Sequence, residues 1–153
     1  MKDSFGREIN YLRISLTDRC NLRCEYCMPE KGVDKIKHED VLTLEEIYEI
    51  TKVFVKLGIN KIRLTGGEPL VRLGILDLIK NISALDGVNE VAMTTNGQLL
   101  SKYAQDLKDA GLDRVNISID TLDREKYKEI TRGGDLDKVL EGIQKAKKVG
   151  LTP

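Results

Sequence analysis

The chain has 153 residues, enough for about one domain with a buried core. Its 25 Lys and Arg residues balance its 25 Asp and Glu residues, so no basic field favours binding to nucleic acid or to an anionic membrane. The N-terminal residues lack the apolar core of a signal peptide and no apolar run reaches the ~20 residues of a spanning helix, so we expect a cytoplasmic protein.

The first half of the chain alternates between strand and helix signals. Apolar residues in alternation predict a strand over residues 11–16, and a polar connection over residues 30–40 is expected to lie on the surface. Thr43 and Glu46 form the sequence pattern of a capping box at the start of a helix, which Gly58 is expected to end.

The same alternation continues to the end of the chain, with glycines after the helices as stop signals. The predicted elements are a strand over 61–65, a helix that carries Leu73, Leu76, Ile79 and Ile82, a strand over 89–94, a helix from Leu100 to a stop at Gly111, a strand over 114–119, and helices over 123–130 and 135–149, the last stopped by Gly150.

A strand followed by a helix, repeated four times, predicts parallel strands with right-handed crossovers, hence an α/β sheet or part of a barrel. Residues 151–153 lie where a fifth unit would begin its strand. We therefore expect the N-terminal portion of a longer protein, with a complete four-stranded open sheet as the alternative.

All three cysteines, Cys20, Cys24 and Cys27, lie within eight residues directly after the first strand, in a C-x3-C-x2-C pattern. Three thiols this close together indicate metal or cluster binding better than disulfides. His38 could complete a Cys3His zinc site, but zinc ligands more often come as paired C-x2–4-C hooks. A cubane iron–sulfur cluster normally takes four thiolates, so three would leave one iron open to a substrate or cofactor.

Unusual segments also follow the other strands, at the edge where parallel α/β folds bind ligands. Gly66 and Gly67 of a Gly-Gly-Glu-Pro segment would let the backbone approach a ligand closely, or simply form a turn. The segment 94–97, Thr-Thr-Asn-Gly, is weak evidence because Asn-Gly is common in turns. Ser118 and Asp120 could bind a ligand or cap the following loop.

Two arginines, Arg13 and Arg63, fall inside predicted strands. A charged residue in a strand of an α/β fold needs a reason, because such strands are usually buried. An anionic ligand such as a phosphate would supply one, and exposure at an edge of the sheet is the alternative.

The cysteine spacing, with Tyr26 before the last cysteine, resembles the radical S-adenosylmethionine enzymes, and Gly-Gly-Glu-Pro after the second strand is similar to that superfamily's second motif. Within it the chain resembles, over essentially its whole length, the GTP 3′,8-cyclase family of molybdenum cofactor biosynthesis. The segments that carry the resemblance are 5–7, 11–15, 17–21, 26–29 and 62–69.

This resemblance implies that Cys20, Cys24 and Cys27 hold a [4Fe-4S] cluster, with S-adenosylmethionine on the open iron. Reductive cleavage would give a 5′-deoxyadenosyl radical that starts the conversion of GTP to (8S)-3′,8-cyclo-7,8-dihydroguanosine 5′-triphosphate, a lyase reaction, with no catalytic residue assigned beyond the cluster. By motif position, the resemblance assigns cofactor binding to Tyr26, Gly67 and Ser118, and substrate binding to Arg13, Arg63 and Thr94.

The resemblance also implies a fold: residues 1–153 would be a radical S-adenosylmethionine core of four βα units, the N-terminal part of an incomplete (β/α)6 TIM-like barrel. The implied partners are GTP, an electron donor and a cyclic pyranopterin monophosphate synthase that receives the product. No nucleic acid or membrane partner is expected. A second copy of the chain, in a homodimer, is compatible with the resemblance.

The chain departs from the family at one point: it has no cysteine after Cys27, whereas the family carries a second [4Fe-4S] cluster near its C-terminus. We therefore expect this chain alone not to convert GTP. The alternatives are another radical S-adenosylmethionine enzyme, such as a peptide-modifying one, and a Cys3His zinc-binding module.

Overall fold

The computed structural model describes residues 2–33 and 36–151, without the side chain of His38. Its strands form one parallel sheet in the order β1-β2-β3-β4, and a helix follows each strand, which confirms the predicted α/β fold. The strands are β1 Tyr11–Ser15, β2 Lys61–Thr65, β3 Glu90–Thr95 and β4 Arg114–Ile117. The helices are α1 Leu44–Lys56, α2 Ile75–Ser83, α3 Leu100–Asp109, α4 Arg124–Thr131 and α5 Leu136–Lys148, with short 3-10 turns at His38–Asp40 and Pro69–Val71.

The helices cover one face of the sheet with apolar side chains. Ile62 and Leu64 of β2 and Met93 of β3 are fully buried there, against Ile79 of α2 and Leu107 of α3. Because side chains alternate along a strand, the residues between them point to the other face. We call this second side the open face; it is lined by Arg13, Arg63, Thr65, Thr94, Arg114 and Asn116.

The ends of α1 are those that the sequence predicts. The N–H of Thr43 donates to Glu46 Oε2 at 2.8 Å and the N–H of Glu46 donates to Thr43 Oγ1 at 3.1 Å, a complete capping box. At the other end Gly58 has a φ of 100°, and the N–H of Ile59 reaches back to the carbonyl of Phe54 at 3.1 Å. This reversal turns the chain straight into β2.

Several predicted boundaries are wrong. Leu73 was assigned to the apolar face of the second helix, but it precedes α2 and is 91% exposed. The reason is Gly74, whose left-handed backbone separates the 3-10 turn Pro69–Val71 from α2. Strand β4 ends at Ile117, two residues early, because Ser118 N–H makes the last hydrogen bond to β3, at the carbonyl of Thr95.

The strand predicted over 61–65 has these bounds in the structure, and the other boundaries differ from the prediction by at most one residue. Residues 152 and 153, in the predicted start of a fifth strand, lie outside the described residues. None of the helices in the described ranges is long and apolar enough to cross a membrane.

Candidate cluster and cofactor site

The cysteine loop, residues 16–28, is held at both ends by other parts of the fold. On one side, Gly67 N–H donates to the carbonyl of Thr17 at 2.6 Å and Glu68 N–H donates to the carbonyl of Arg19 at 2.8 Å. On the other side, Glu25 N–H donates to the carbonyl of Ile130 at the end of α4 at 2.9 Å. The loop is therefore fixed between the ends of β2 and α4.

The three thiols are free; Cys20 and Cys24 are half-buried and Cys27 is exposed. The N–H of Leu22 donates to Cys20 Sγ at 3.4 Å, a contact suited to a thiolate ligand. Burial, followed by the charge of Cys20, raises the pKa of the Cys24 thiol. Since a thiol binds metal as the thiolate, cluster binding at Cys24 must release a proton.

The arrangement of the thiols differs from that of ligands around a single metal ion. Among the residues that the structure describes, no three His, Cys, Asp or Glu side chains gather around one point as ligands of a single ion would. A cubane cluster places its thiolates on separate irons, so it accepts a more widely spaced set. The side chain of His38, the fourth ligand of the zinc alternative, lies outside the described part of the chain.

A cavity of about 350 Å³ opens beside Cys20, and Arg19 and Arg23 are among its lining residues. Asp18 also lines this cavity, so the lining carries one net positive charge, which suits a cluster with thiolate ligands, whose net charge is negative. A larger cavity of about 420 Å³ shares Asp18, Arg19 and Val71 with it and is lined by no cysteine, and Cys24 and Cys27 line neither of the two cavities.

The two glycines of the Gly-Gly-Glu-Pro segment are required by the cysteine loop itself. A Cβ on Gly67 would collide with the backbone carbonyl of Arg19, and a Cβ on Gly66 would lie 2.8 Å from the carbonyl oxygen of Thr17. The close approach predicted from these glycines is therefore made to the loop that carries the thiols. Cofactor contact by Gly67 stays a prediction.

Glu68, between these glycines and Pro69, is a buried carboxylate that the sequence reasoning missed. It is 1% exposed; Oε1 accepts from Thr95 Oγ1 at 2.7 Å and from Leu70 N–H at 3.1 Å, and Oε2 accepts from Asn96 N–H at 2.7 Å. Burial raises the pKa of this carboxyl, against the effect of its hydrogen bonds. Glu68 therefore ties the end of β2 to the end of β3.

Tyr26 connects the cysteine loop to the end of β4. Its hydroxyl donates to Asp120 Oδ2 at 2.9 Å although the residue is 68% exposed. Partial burial and this bond to a carboxylate raise the pKa of Tyr26. Asp120, predicted to bind a ligand or cap a loop, thus holds the loop in place, while Ser118 is exposed at the same edge of the sheet.

The open face carries arginines in one row, because Arg13 pairs with Arg63, Arg63 with Ala92 and Ala92 with Arg114 in the register of the sheet. Arg13 is exposed, and the guanidinium of Arg63 lies 5.8 Å from the ring centroid of Tyr11. Thr94, one layer closer to the cysteine loop, is half-buried.

Two buried polar atoms on the open face have no hydrogen-bond partner among the described residues: Arg63 Nε and Asn116 Oδ1. Leaving such an atom unsatisfied costs about 1–3 kcal/mol, so each is a candidate to bind a ligand. Arg63 was predicted as a binding residue, whereas Asn116 was missed. Asn116 lies two residues before Ser118, and this spacing of two along the strand direction is the signal that could have found it.

Arg114 is held on the open face by Glu90, 2.9 Å from its guanidinium. This hydrogen bond lowers the pKa of Glu90 in the folded protein. The ion pair therefore stabilises the fold fully above the ordinary glutamate pKa of about 4.3, and this stabilisation is lost as the pH falls through the lowered pKa of the folded state. We expect Glu90→Gln to reduce the free energy of unfolding by about 0.5–1 kcal/mol at pH 7 and by less at pH 3. Urea unfolding at both pH values measures it, and an equal loss at both would contradict it.

Comparison with known proteins agrees with this site. Residues 14–153 match the model of the Radical SAM superfamily, and the chain belongs to that superfamily. The GTP 3′,8-cyclase of Alkaliphilus metalliredigens (strain QYMF) is 63% identical over 153 residues, which are 100% of this chain and 48% of that protein. The GTP 3′,8-cyclase of Peptoclostridium acidaminophilum is 62% identical over 151 residues, 99% of this chain and 46% of that protein. The chain thus spans about half the length of these curated relatives.

Solved structures share the fold at low sequence identity. The Streptococcus suis SuiB structure with precursor peptide SuiA has a TM-score of 0.76 at 22% identity, over 93% of this chain and 31% of that one. Methylornithine synthase (PylB) has a TM-score of 0.71 at 19% identity, over 92% of this chain and 42% of that one. These likenesses support the predicted partial TIM-like barrel and show nothing beyond the fold.

The superfamily match confirms the predicted cofactors, a [4Fe-4S] cluster and S-adenosylmethionine, and does not favour the zinc-binding module. The residues fit these groups, because three free thiols share one loop and unpaired polar atoms line the adjoining open face. The roles assigned singly to Tyr26, Gly67, Ser118, Arg13, Arg63 and Thr94 stay predictions.

Proposed function

We propose that this chain is the cluster-binding, N-terminal portion of a GTP 3′,8-cyclase. The observation that carries the proposal is an arginine-lined open face beside a three-cysteine loop, in a chain 63% identical over its whole length to a protein of that name. Residues 1–153 would supply the first four βα units of the radical S-adenosylmethionine core. When bound, the cluster and S-adenosylmethionine supply the one-electron chemistry that starts the reaction.

In this proposal Arg13 and Arg63 bind anionic groups of GTP. The two residues are direct neighbours in the register of β1 and β2, so their guanidinium groups can act on the same anion. Arginine is suited to this task because its planar fork of donors matches a phosphate. Thr94, in the next layer toward the cysteine loop, would add a hydroxyl contact to the substrate.

Tyr26, Gly67 and Ser118 would line the cofactor at the carboxyl edge of the sheet. Their common position follows from the chain's own contacts: Gly67 is bonded to the cysteine loop, Tyr26 to Asp120, and Ser118 to the end of β3. The proposed setting is the cytoplasm, where thiols stay reduced. An electron donor, a homodimer and a downstream cyclic pyranopterin monophosphate synthase belong to the same proposal.

The test is GTP binding by the intact protein that contains this chain. We expect Arg63→Met to raise the Kd for GTP about tenfold or more, because it removes a charged donor and keeps the length of the side chain. Arg124→Met is the matched control, since Arg124 lies on α4 and pairs with Asp137. Absence of GTP binding by the unaltered protein would remove GTP as the substrate and favour another radical S-adenosylmethionine enzyme. Equal Kd values for Arg63→Met and wild type would mean that Arg63 does not bind GTP.

A further inference from the structure

The amide side chain of Asn96 points at the cysteine loop. Its Nδ2 donates to Asn21 Oδ1 at 2.8 Å and lies 3.7 Å from Cys20 Sγ, within hydrogen-bonding distance for a sulfur acceptor. Asn96 belongs to the segment after β3 that reads as an ordinary turn in the sequence, and neither the family resemblance nor the proposed substrate assigns it a role.

The direction of this amide is fixed by its other end. Asn96 Oδ1 accepts the backbone N–H of Gln98 at 3.0 Å, which closes an Asx turn. Since a backbone N–H needs an oxygen acceptor, the amide cannot be exchanged end for end, and the NH2 group must face Cys20.

The backbone of Asn96 is fixed as well. Its N–H donates to Glu68 Oε2 at 2.7 Å, and the neighbouring Thr95 hydroxyl donates to Glu68 Oε1 at 2.7 Å. Glu68 is 1% exposed and its own N–H binds the carbonyl of Arg19, the residue before Cys20. Glu68 thus ties Asn96 to the same loop that the Asn96 side chain faces, with its carboxylate on Asn96 and its backbone N–H on the loop.

We propose that Asn96 is a positioning residue of the iron–sulfur cluster, with its side-chain amide as a hydrogen-bond donor to the Cys20 thiolate and Glu68 as the group that holds this donor in place. The inference depends on the cluster and not on the identity of the substrate. Hydrogen bonds to cluster sulfurs are one of the factors that set the reduction potential of a cluster. A donor at Cys20 stabilises the reduced cluster, because the reduced form carries the more negative charge.

Asn96→Asp removes the donor and also adds a negative charge beside Cys20, and both changes disfavour the reduced cluster. An aspartate can still accept the N–H of Gln98 and keep the turn, but it presents an acceptor to Cys20 in place of NH2. In the reconstituted chain at a fixed potential, we expect the ratio of reduced to oxidised cluster to fall about tenfold, a shift of ~59 mV toward negative values for one electron. Asn96→Leu, which is neutral, should move the potential in the same direction.

Gln98→Leu is the matched control. Gln98 lies in the same loop, but its amide donates to the carbonyl of Asp135 at 2.8 Å and faces no cysteine. The proposal requires Gln98→Leu to leave the potential at the wild-type value, as measured by redox titration followed by electron paramagnetic resonance. A wild-type potential in both Asn96 variants, or an equal shift in Gln98→Leu, overturns it.

If the Asn96 variants do not assemble a cluster, the proposal is tested on the wild-type chain without its cluster. The side-chain NH2 of Asn96 should then exchange its hydrogens markedly more slowly than that of the exposed Asn81 on α2, measured by nuclear magnetic resonance. Equal exchange rates would mean that the amide is not held against the cysteine loop, and would overturn the proposal.

Discussion

Cys24→Ala is expected to abolish cluster binding. Anaerobically reconstituted wild-type chain should hold about four irons and about four sulfides, and the variant close to none, because two thiolates cannot keep a cubane that already has one open iron. Cys24 lies between the other two cysteines on a turn in which the N–H groups of Cys27 and Met28 both donate to its carbonyl. Iron and acid-labile sulfide assays measure the effect.

Glu25→Gln is the control for this variant. Glu25 is exposed, and its described contact with the rest of the fold is through its backbone N–H, so the substitution alters the side chain next to Cys24 and keeps the loop. Its iron content should equal that of wild type. Retention of a full cluster by Cys24→Ala would mean that Cys24 is not a ligand.

Gly67→Ala is expected to displace the cysteine loop. The added Cβ meets the backbone carbonyl of Arg19, which cannot move as a flexible side chain would. Overpacking of this kind costs about 3 kcal/mol, which for a chain of this size lowers Tm by roughly 6–12 °C. Calorimetry measures the loss of stability, and iron counting should show reduced cluster occupancy in the same sample.

Gly6→Ala provides the comparison. Gly6 has a left-handed φ of 78°, but no atom lies within 4 Å of an added Cβ. The variant should lose about 1–2 kcal/mol to backbone strain and keep its iron. The account of Gly67 fails if both variants retain the same amount of cluster.

The sequence predicted the elements whose signals are local. The capping box at Thr43 and the stop at Gly58 depend on residues a few positions apart, so they could be recognised without any knowledge of the fold. The start of the second helix could not be: Leu73 continues an apolar helical spacing, and only the left-handed backbone of Gly74 excludes it from α2.

The cysteine loop was found from sequence because its three ligands lie in one short segment. The contacts that hold it were missed, since they join residues far apart in the chain: Glu68 to Asn96, Tyr26 to Asp120 and Gly67 to Thr17. Parallel β topology predicts that these loops share an edge, but which side chains meet there depends on register and burial.

The most direct test of the account is addition of S-adenosylmethionine to the reduced, reconstituted cluster, followed by electron paramagnetic resonance. Three cysteines leave one iron without a protein thiolate, so we predict that the spectrum changes when S-adenosylmethionine binds. A spectrum unchanged at saturating S-adenosylmethionine, or a sample that contains zinc and no acid-labile sulfide, would contradict the claim that this loop holds an open, cofactor-binding cluster.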